Sequence, residues 1–523
     1  MRSIADILSM TTLDGVPTDE AMGAIARLTD YAFDKGDLGL TSKALDWCDQ
    51  LEPHLSSAEQ CGELDYFRAN AWAHRQTAKR SDRAAAWEWD QEGLQQQIYF
   101  LRRALNSSAF EQLHVLRKCQ ILTNLANQLD TVGRFVEARE LWRKALELQP
   151  QFWMARGNGG RGLMHYAQSL YDPGHAAVFA LAAHRELTEA VRDIDQHPTW
   201  GDASLSSYFQ EFADSIEYRF DLAEIAKHYR PDQFSVGEEE DERAYRMWCL
   251  REVMFLNPLN NLHSSPIAAR DVLTLPSFVT PLREPPVLIG FFNQIKQEYV
   301  SARWLYFEGI NAKALHMSDR DVLLYNTLDY PAFGLAIEKI KIAFRMAYSL
   351  LDKIAYFLNR YLRLGIPEKG ISFRHIWRHK DSGPVRNEFS SSENWPFRGL
   401  YWLSKDLFEK DFKEMTEPDA RALHDLRNHL EHKYVKVRLM EIPDVIADRP
   451  EPGLFSDTVA YSISLQVLER KTLRILKLAR SALIYLSLGM HTEEARRRAA
   501  DDPDAIIPSI ALTELDDAFK VRW

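Results

Sequence analysis

Four cysteines in 523 residues (Cys48, Cys61, Cys119 and Cys249) form no C-x-x-C pair and no zinc spacing. That excludes a disulfide scaffold and a cysteine-ligated zinc module, and reads as reduced thiols in a cytoplasmic protein. No apolar run escapes interruption by charge long enough to span a bilayer, so no membrane contact is expected. The opening MRSIADILSMTTLDG lacks an uninterrupted apolar core, so no secretory signal is expected either. Positive charge is also short. Against 64 Lys and Arg stand 75 Asp and Glu, a net charge of −11, which argues against a chain coated in nucleic acid. The deficit is uneven: residues 1–284 hold 29 basic against 42 acidic side chains, residues 285–523 hold 35 against 33. An acidic front half suits protein contacts or control better than gripping a polyanion.

What is present is helical text from end to end, in a chain long enough for two or three domains. The stretch 119–152 carries Leu122, Leu125, Ala126 and Leu129 at helical spacing. Gly133 marks a turn, then Ala138, Trp142 and Ala145 follow, with Pro150 at the close. This unit resembles a tetratricopeptide repeat, in which small residues let two antiparallel helices approach. One such unit cannot bury its own face, so neighbours are expected at 22–50, at 58–79 with 83–106, and at 153–193. In the last of these Gly157, Gly159, Gly160 and Gly162 are expected to loosen the first helix. The run Gly157–Gly162 follows a helix and lacks the Gly-Lys-Ser/Thr ending of a phosphate loop, so that role is rejected.

The expected organisation is a tetratricopeptide-like helical solenoid over 1–236 and a connector over 237–286, whose helix packs on the second domain. A helical bundle follows over 287–490, and a C-terminal arm over 491–523 packs through Ile506, Ile507, Ile510 and Leu512. The acidic run 238–242 and a series of prolines from Pro258 to Pro286 mark the change. The fold class is all-α. Within the bundle, helices are expected at 287–310, 333–362, 418–435 and 461–490. An insertion at 364–400 interleaves Arg374, Arg378, Lys380 and Arg386 with Phe373, Trp377 and Trp395. Basic and aromatic residues so mixed suit single-stranded RNA, and equally a loop whose tryptophans cover the bundle.

The stretch that carries chemistry is His424–Tyr434, HDLRNHLEHKY. Leu423, Leu426 and Leu430 dock one side of a helix, which sends the polar residues elsewhere. At about 100° per residue, Asn428 and His432 share a face one turn apart, and the long Arg427 side chain reaches towards it. A guanidinium, an amide and an imidazole with no thiol or serine partner point to chemistry on a phosphate. His429, Glu431 and His432 lack zinc-hydrolase spacing and a third ligand, so neither metal nor cofactor is expected.

The pattern Arg427-Asn428-x-x-x-His432 resembles the signature of HEPN-domain ribonucleases, a superfamily of helical domains. The resemblance implies a metal-independent endoribonuclease with Arg427, Asn428 and His432 as the catalytic set and Glu431 and His429 in support. It implies attack by the RNA 2′-hydroxyl and a homodimer in which two motif helices form a composite site. A role as a toxin or defence effector follows by analogy, with a protein partner or inhibitor on the repeats. The alternative is a repeat scaffold whose dimeric bundle binds RNA, nucleotide or protein without cleaving. An Arg427–Glu431 ion pair on an inert polar face is the plain structural reading of the same residues.

Overall fold

The computed structural model describes residues 3–79, 83–281, 284–325, 327, 331–379, 383–408, 420–439, 460–500 and 510–520. The first part is built from α1 (Ile4–Ser9), α2 (Thr18–Lys35), α3 (Leu38–Leu51), α4 (Ala58–Lys79), α5 (Arg83–Trp87) and α6 (Glu92–Asn106). It continues through α7 (Val115–Thr131), α8 (Phe135–Leu148), α9 (Trp153–Ser169), α10 (Pro173–Gln196), α11 (Leu205–Arg219) and α12 (Leu222–His228). The punctuation is local chemistry. Gly36 ends α2 in the left-handed region, and the Asp37 carboxylate accepts from Gly39 N and Leu40 N to start α3. From α2 to α11 the main helices pack chiefly on their neighbours in sequence, the nearest-neighbour stacking of a helical solenoid. Leu122, Leu125, Ala126 and Leu129 of α7 and Ala138, Trp142 and Ala145 of α8 are all buried between these layers.

The glycines of α9 do not loosen it. The helix runs unbroken, and a Cβ at Gly157 or Gly162 would strike the ring of Phe209 or Trp142. Each glycine costs about 1 kcal/mol of helix propensity against alanine, offset at Gly157 and Gly162 by the close seat of an aromatic ring.

After α13 (Glu240–Arg251), whose first turn holds Glu240, Asp241 and Glu242 where a helix dipole favours acids, the chain turns irregular. The bundle then begins with α14 (Val287–Asn311) and α15 (Leu335–Tyr361), followed by the short α16 (Asn387–Ser390) and by α17 (Trp395–Phe408). It ends with α18 (Ala420–His432), β1 (Tyr434–Arg438), β2 (Ala460–Ser464) and α19 (Leu465–Ala500). The irregular stretch is gripped from the bundle by two buried arginines. Arg303 on α14 pairs with both oxygens of Asp271 at 2.9 and 2.8 Å and donates to Met254 O. Arg480 on α19 donates to Phe255 O at 2.7 Å and to the side-chain oxygen of Asn261 at 2.8 Å. Buried carbonyls outside regular structure need donors, and the two guanidinium forks supply them. Trp248 of α13 packs on Tyr306 and Phe307 of α14.

Three expectations need correction. The motif helix ends at His432, and β1 follows it in parallel register with β2, Val435 opposite Tyr461 and Val437 opposite Ile463. Alternating β-branched residues in YVKVR favour an extended chain, with Val435 and Val437 buried. The last bundle helix starts at Leu465 and runs to Ala500, into the stretch assigned to an arm. In that arm Ile510 and Leu512 are 84% and 56% exposed, so they do not pack on the described residues; Ile506 and Ile507 lie outside the described residues.

The stretch taken as an insertion also contains the start of α17, which is buried along most of its length and lies between the two helical parts. Trp395 stacks on Phe135 of α8 at 4.4 Å and donates to Asp130 O at 2.6 Å, and Trp402 donates to Trp89 O at 3.0 Å. Gly133 and Gly399 meet backbone to backbone; a Cβ on Gly399 would fall on the Gly133 carbonyl. Beside them Asp406 pairs with Arg102 at 2.9 Å and with Arg134, which also holds Glu137 at 2.6 Å. One continuous buried cluster therefore runs from Ile7 to Met490.

Candidate functional site

Helix α18 lies against α15, α17 and the β1–β2 pair. Leu423 and Leu426 are fully buried and Leu430 packs against the core edge, which fixes the rotation of the helix. Arg427 is consequently held at the margin, its side chain 30% exposed. It donates to the Asn428 side-chain oxygen at 3.1 Å and pairs with Glu431 at 3.2 Å, and its guanidinium lies 6.0 Å from the ring centre of Tyr348 on α15. Burial pushes the Tyr348 phenol well above its ordinary value, against the pull of the Arg427 cation, so it stays protonated. Arg427 Nε is shut off from solvent with no protein acceptor among the described residues.

The imidazole of His429 contacts the carbonyl oxygen of Asp425 at 2.7 Å through Nδ1. A carbonyl only accepts, so Nδ1 carries the proton, and in the neutral ring Nε2 is left as the acceptor. The ring is further held by Tyr461 of β2, with centroids 5.0 Å apart. His432 closes α18 on the helix position one turn after Asn428. Its side chain lies outside the described residues. Glu431, Arg427 and Asn428 are thus brought together, while His429 is tied to its own helix and to the strand pair.

Tyr348 and Tyr461 belong to this site and escaped sequence reading. Neither stands near the motif in the chain, and each has the pattern of an ordinary core-facing aromatic; only the packing of α15 and the strand register bring them in.

The basic and aromatic residues of 364–400 are differently disposed. Phe373 and Trp377 are buried, Trp377 within 5.8 Å of Phe373 and 4.8 Å of Phe389. Arg378 donates to the Tyr401 hydroxyl at 2.6 Å and pairs with Asp90; Arg386 donates to Ile376 O at 3.0 Å and reaches His379 at 2.9 Å. Arg374 is exposed, and Lys380 lies outside the described residues. The rings cover the bundle instead of facing solvent. Among the described residues, no three His, Cys, Asp or Glu side chains are grouped to hold a metal, and no helix is long and apolar enough to cross a membrane.

The structure joins a helical solenoid to a helical bundle, with Arg427, Asn428 and Glu431 gathered near the end of a bundle helix. Residues 279–493 match the family model described as LA2681-like HEPN, an interval that takes in α14 to α18, both strands and most of α19. Over that interval the C-terminal bundle is similar to a HEPN domain. No curated protein and no solved structure matches the chain.

Proposed function

We propose that the protein is a metal-independent endoribonuclease whose catalytic residues are Arg427, Asn428 and His432. The observation that carries this reading is Arg427 itself: a guanidinium at the surface margin, oriented by Asn428 and Glu431, five residues before His432, in a bundle similar to a HEPN domain. HEPN domains often act as ribonucleases. In this scheme His432 exchanges a proton with the 2′-hydroxyl or the leaving oxygen, and Arg427 stabilises charge building on the scissile phosphate. Asn428 orients the phosphate or the imidazole. The 2′-oxygen bonds to phosphorus as the bond to the 5′-oxygen breaks, leaving a 2′,3′-cyclic phosphate and a 5′-hydroxyl.

One arginine and one histidine are a thin catalytic set, so the working site joins two motif helices across a homodimer of the bundle. The biological role is a cytoplasmic toxin or defence effector restrained or triggered through the repeats. The test is cleavage of mixed single-stranded RNA in EDTA by the wild type, His432→Ala and Arg427→Ala. The expected result is cyclic-phosphate products from the wild type and a drop of roughly 100-fold or more in each variant. Cleavage unchanged in both variants overturns the assignment.

A second reading is favoured by one observation. The Arg427–Glu431 pair at 3.2 Å already neutralises the cation, as it would on an inert helix face. Under that reading the bundle binds RNA, nucleotide or a protein without cleaving, and the wild type shows RNA binding with no products.

A further inference from the structure

The charged side chains of α15 divide between its two flanks. On one flank Lys339 and Lys353 pair with Glu308 and Glu298 of α14. The opposite flank carries Tyr348, which faces Arg427 of α18. Lys341, Arg345 and Asp352 stand on that same side, one or two turns from Tyr348. Two of the three are occupied: Lys341 pairs with Glu338 at 2.8 Å, and Asp352 accepts from Phe373 N at 2.9 Å. Arg345 is half-buried, and among the described residues no hydrogen bond, ion pair or ring contact holds its guanidinium.

The direction of α18 sets Arg345 beside the motif. At 1.5 Å per residue, Tyr348 lies about 20 Å along α15 from its first residue. Just before that first residue, Ala332 donates to Val437 O at 2.7 Å and Pro331 bridges Arg438 of β1. The short run of chain from Arg427 to Val437 covers that rise only if α18 and β1 both head for the α15 N-terminus. The two helices are therefore antiparallel. One turn along α18 from Arg427 stands Glu431, and His432 follows it. One turn along α15 from Tyr348, in the same direction in space, stands Arg345. The level of Arg345 is thus that of Glu431 and His432.

We propose that Arg345 is a further substrate-binding residue of this site, whose guanidinium holds a backbone phosphate of an RNA strand lying across the α15–α18 edge. That the polyanion is RNA rests on the ribonuclease reading. Arg427 is already countered by Glu431 at 3.2 Å, so the motif helix alone offers a phosphate a cation shared with a carboxylate. Arg345 has no acid to release before it takes phosphate oxygens, and its planar fork presents paired donors to them. Arg427 meets the charge that develops at the scissile phosphate. Arg345 fixes where the strand lies, so it acts on binding and not on the chemical step.

The experiment uses the full chain with a single-stranded RNA decamer in EDTA, and with its 2′-O-methyl form, which lacks the attacking hydroxyl and reports binding alone. The wild type is compared with Arg345→Gln and Arg345→Lys over a range of salt. In Arg345→Gln the expected result is KM and the 2′-O-methyl Kd raised about tenfold, with kcat within about twofold of the wild type. The slope of log affinity against log salt becomes shallower by about 0.7, the loss of one single-strand phosphate contact, and Arg345→Lys restores it. A slope restored by charge alone is a readout that a merely structural role does not move. Wild-type cleavage with KM, Kd and slope all indifferent to Arg345→Gln overturns the proposal and leaves the ribonuclease reading standing. Binding that depends on Arg345 with no cleavage supports the proposal and overturns the ribonuclease reading. A wild type that neither binds nor cleaves RNA overturns both.

Discussion

At the scale of single residues, the weight of Arg427 lies in its orientation, and its neighbours divide that task. Asn428 and Glu431 hold the guanidinium from the same helix, and Tyr348 supports it from α15. A half-exposed i,i+4 ion pair of this kind contributes only about 0.3–0.5 kcal/mol to stability. Glu431→Gln is therefore expected to leave the urea midpoint almost unchanged. If the ribonuclease reading holds, the same change alters turnover, since a loosened guanidinium no longer meets the developing charge. Stability and turnover measured on one preparation separate the two roles. Glu140 offers a test with a pH window. Its folded carboxyl sits at about 2, below its ordinary 4.5, so its stabilisation is full above pH 4.5 and is lost as pH falls towards 2. Glu140→Gln should melt below the wild type at neutral pH, and the two curves should converge as the pH drops through that interval.

At the scale of elements, α17 determines how the chain is joined. It presents Gly399 to the turn at Gly133, Trp395 to Phe135, and Trp402 to Trp89 O, so a single helix carries contacts to several parts of the solenoid. The approach of two backbones allows no side chain on either. Gly399→Ala is expected to cost about 1–3 kcal/mol through overpacking, read as a lower denaturation midpoint with an unchanged m-value. Placing α18 needs the strand pair as well. Helix residues Leu423 and Leu426 set its rotation, while the register of Val435 against Tyr461 brings Tyr461 under His429.

At the scale of the molecule, solenoid and bundle share one apolar cluster and one buried charge network. Asp406, 2% exposed, neutralises Arg102 and Arg134, which are 5% and 1% exposed. Asp406→Ala leaves two guanidinium groups in the seam without that carboxylate, an expected loss of about 3–5 kcal/mol. Urea unfolding followed by tryptophan fluorescence and by far-ultraviolet dichroism checks this. Coincident transitions in the wild type are the expected result, since a shared core couples the two halves. Transitions that separate in Asp406→Ala would locate the coupling in this network.

The sequence by itself determined the helical class, the turns at Gly36 and Gly133, the buried faces of α7 and α8, and the apolar side of α18. Those follow from spacing along one chain, where a period near 3.6 and a glycine in the left-handed region speak for themselves. It did not reveal that Gly157 and Gly162 of α9 seat aromatic rings, that YVKVR leaves the helix for a strand, or that Trp377 turns inward. Nor did it reveal α17 as the element between the two parts, or Tyr348 and Tyr461 as neighbours of the motif. Each of these depends on contacts between residues far apart in the chain, and local periodicity carries no information about which distant surface fills a groove.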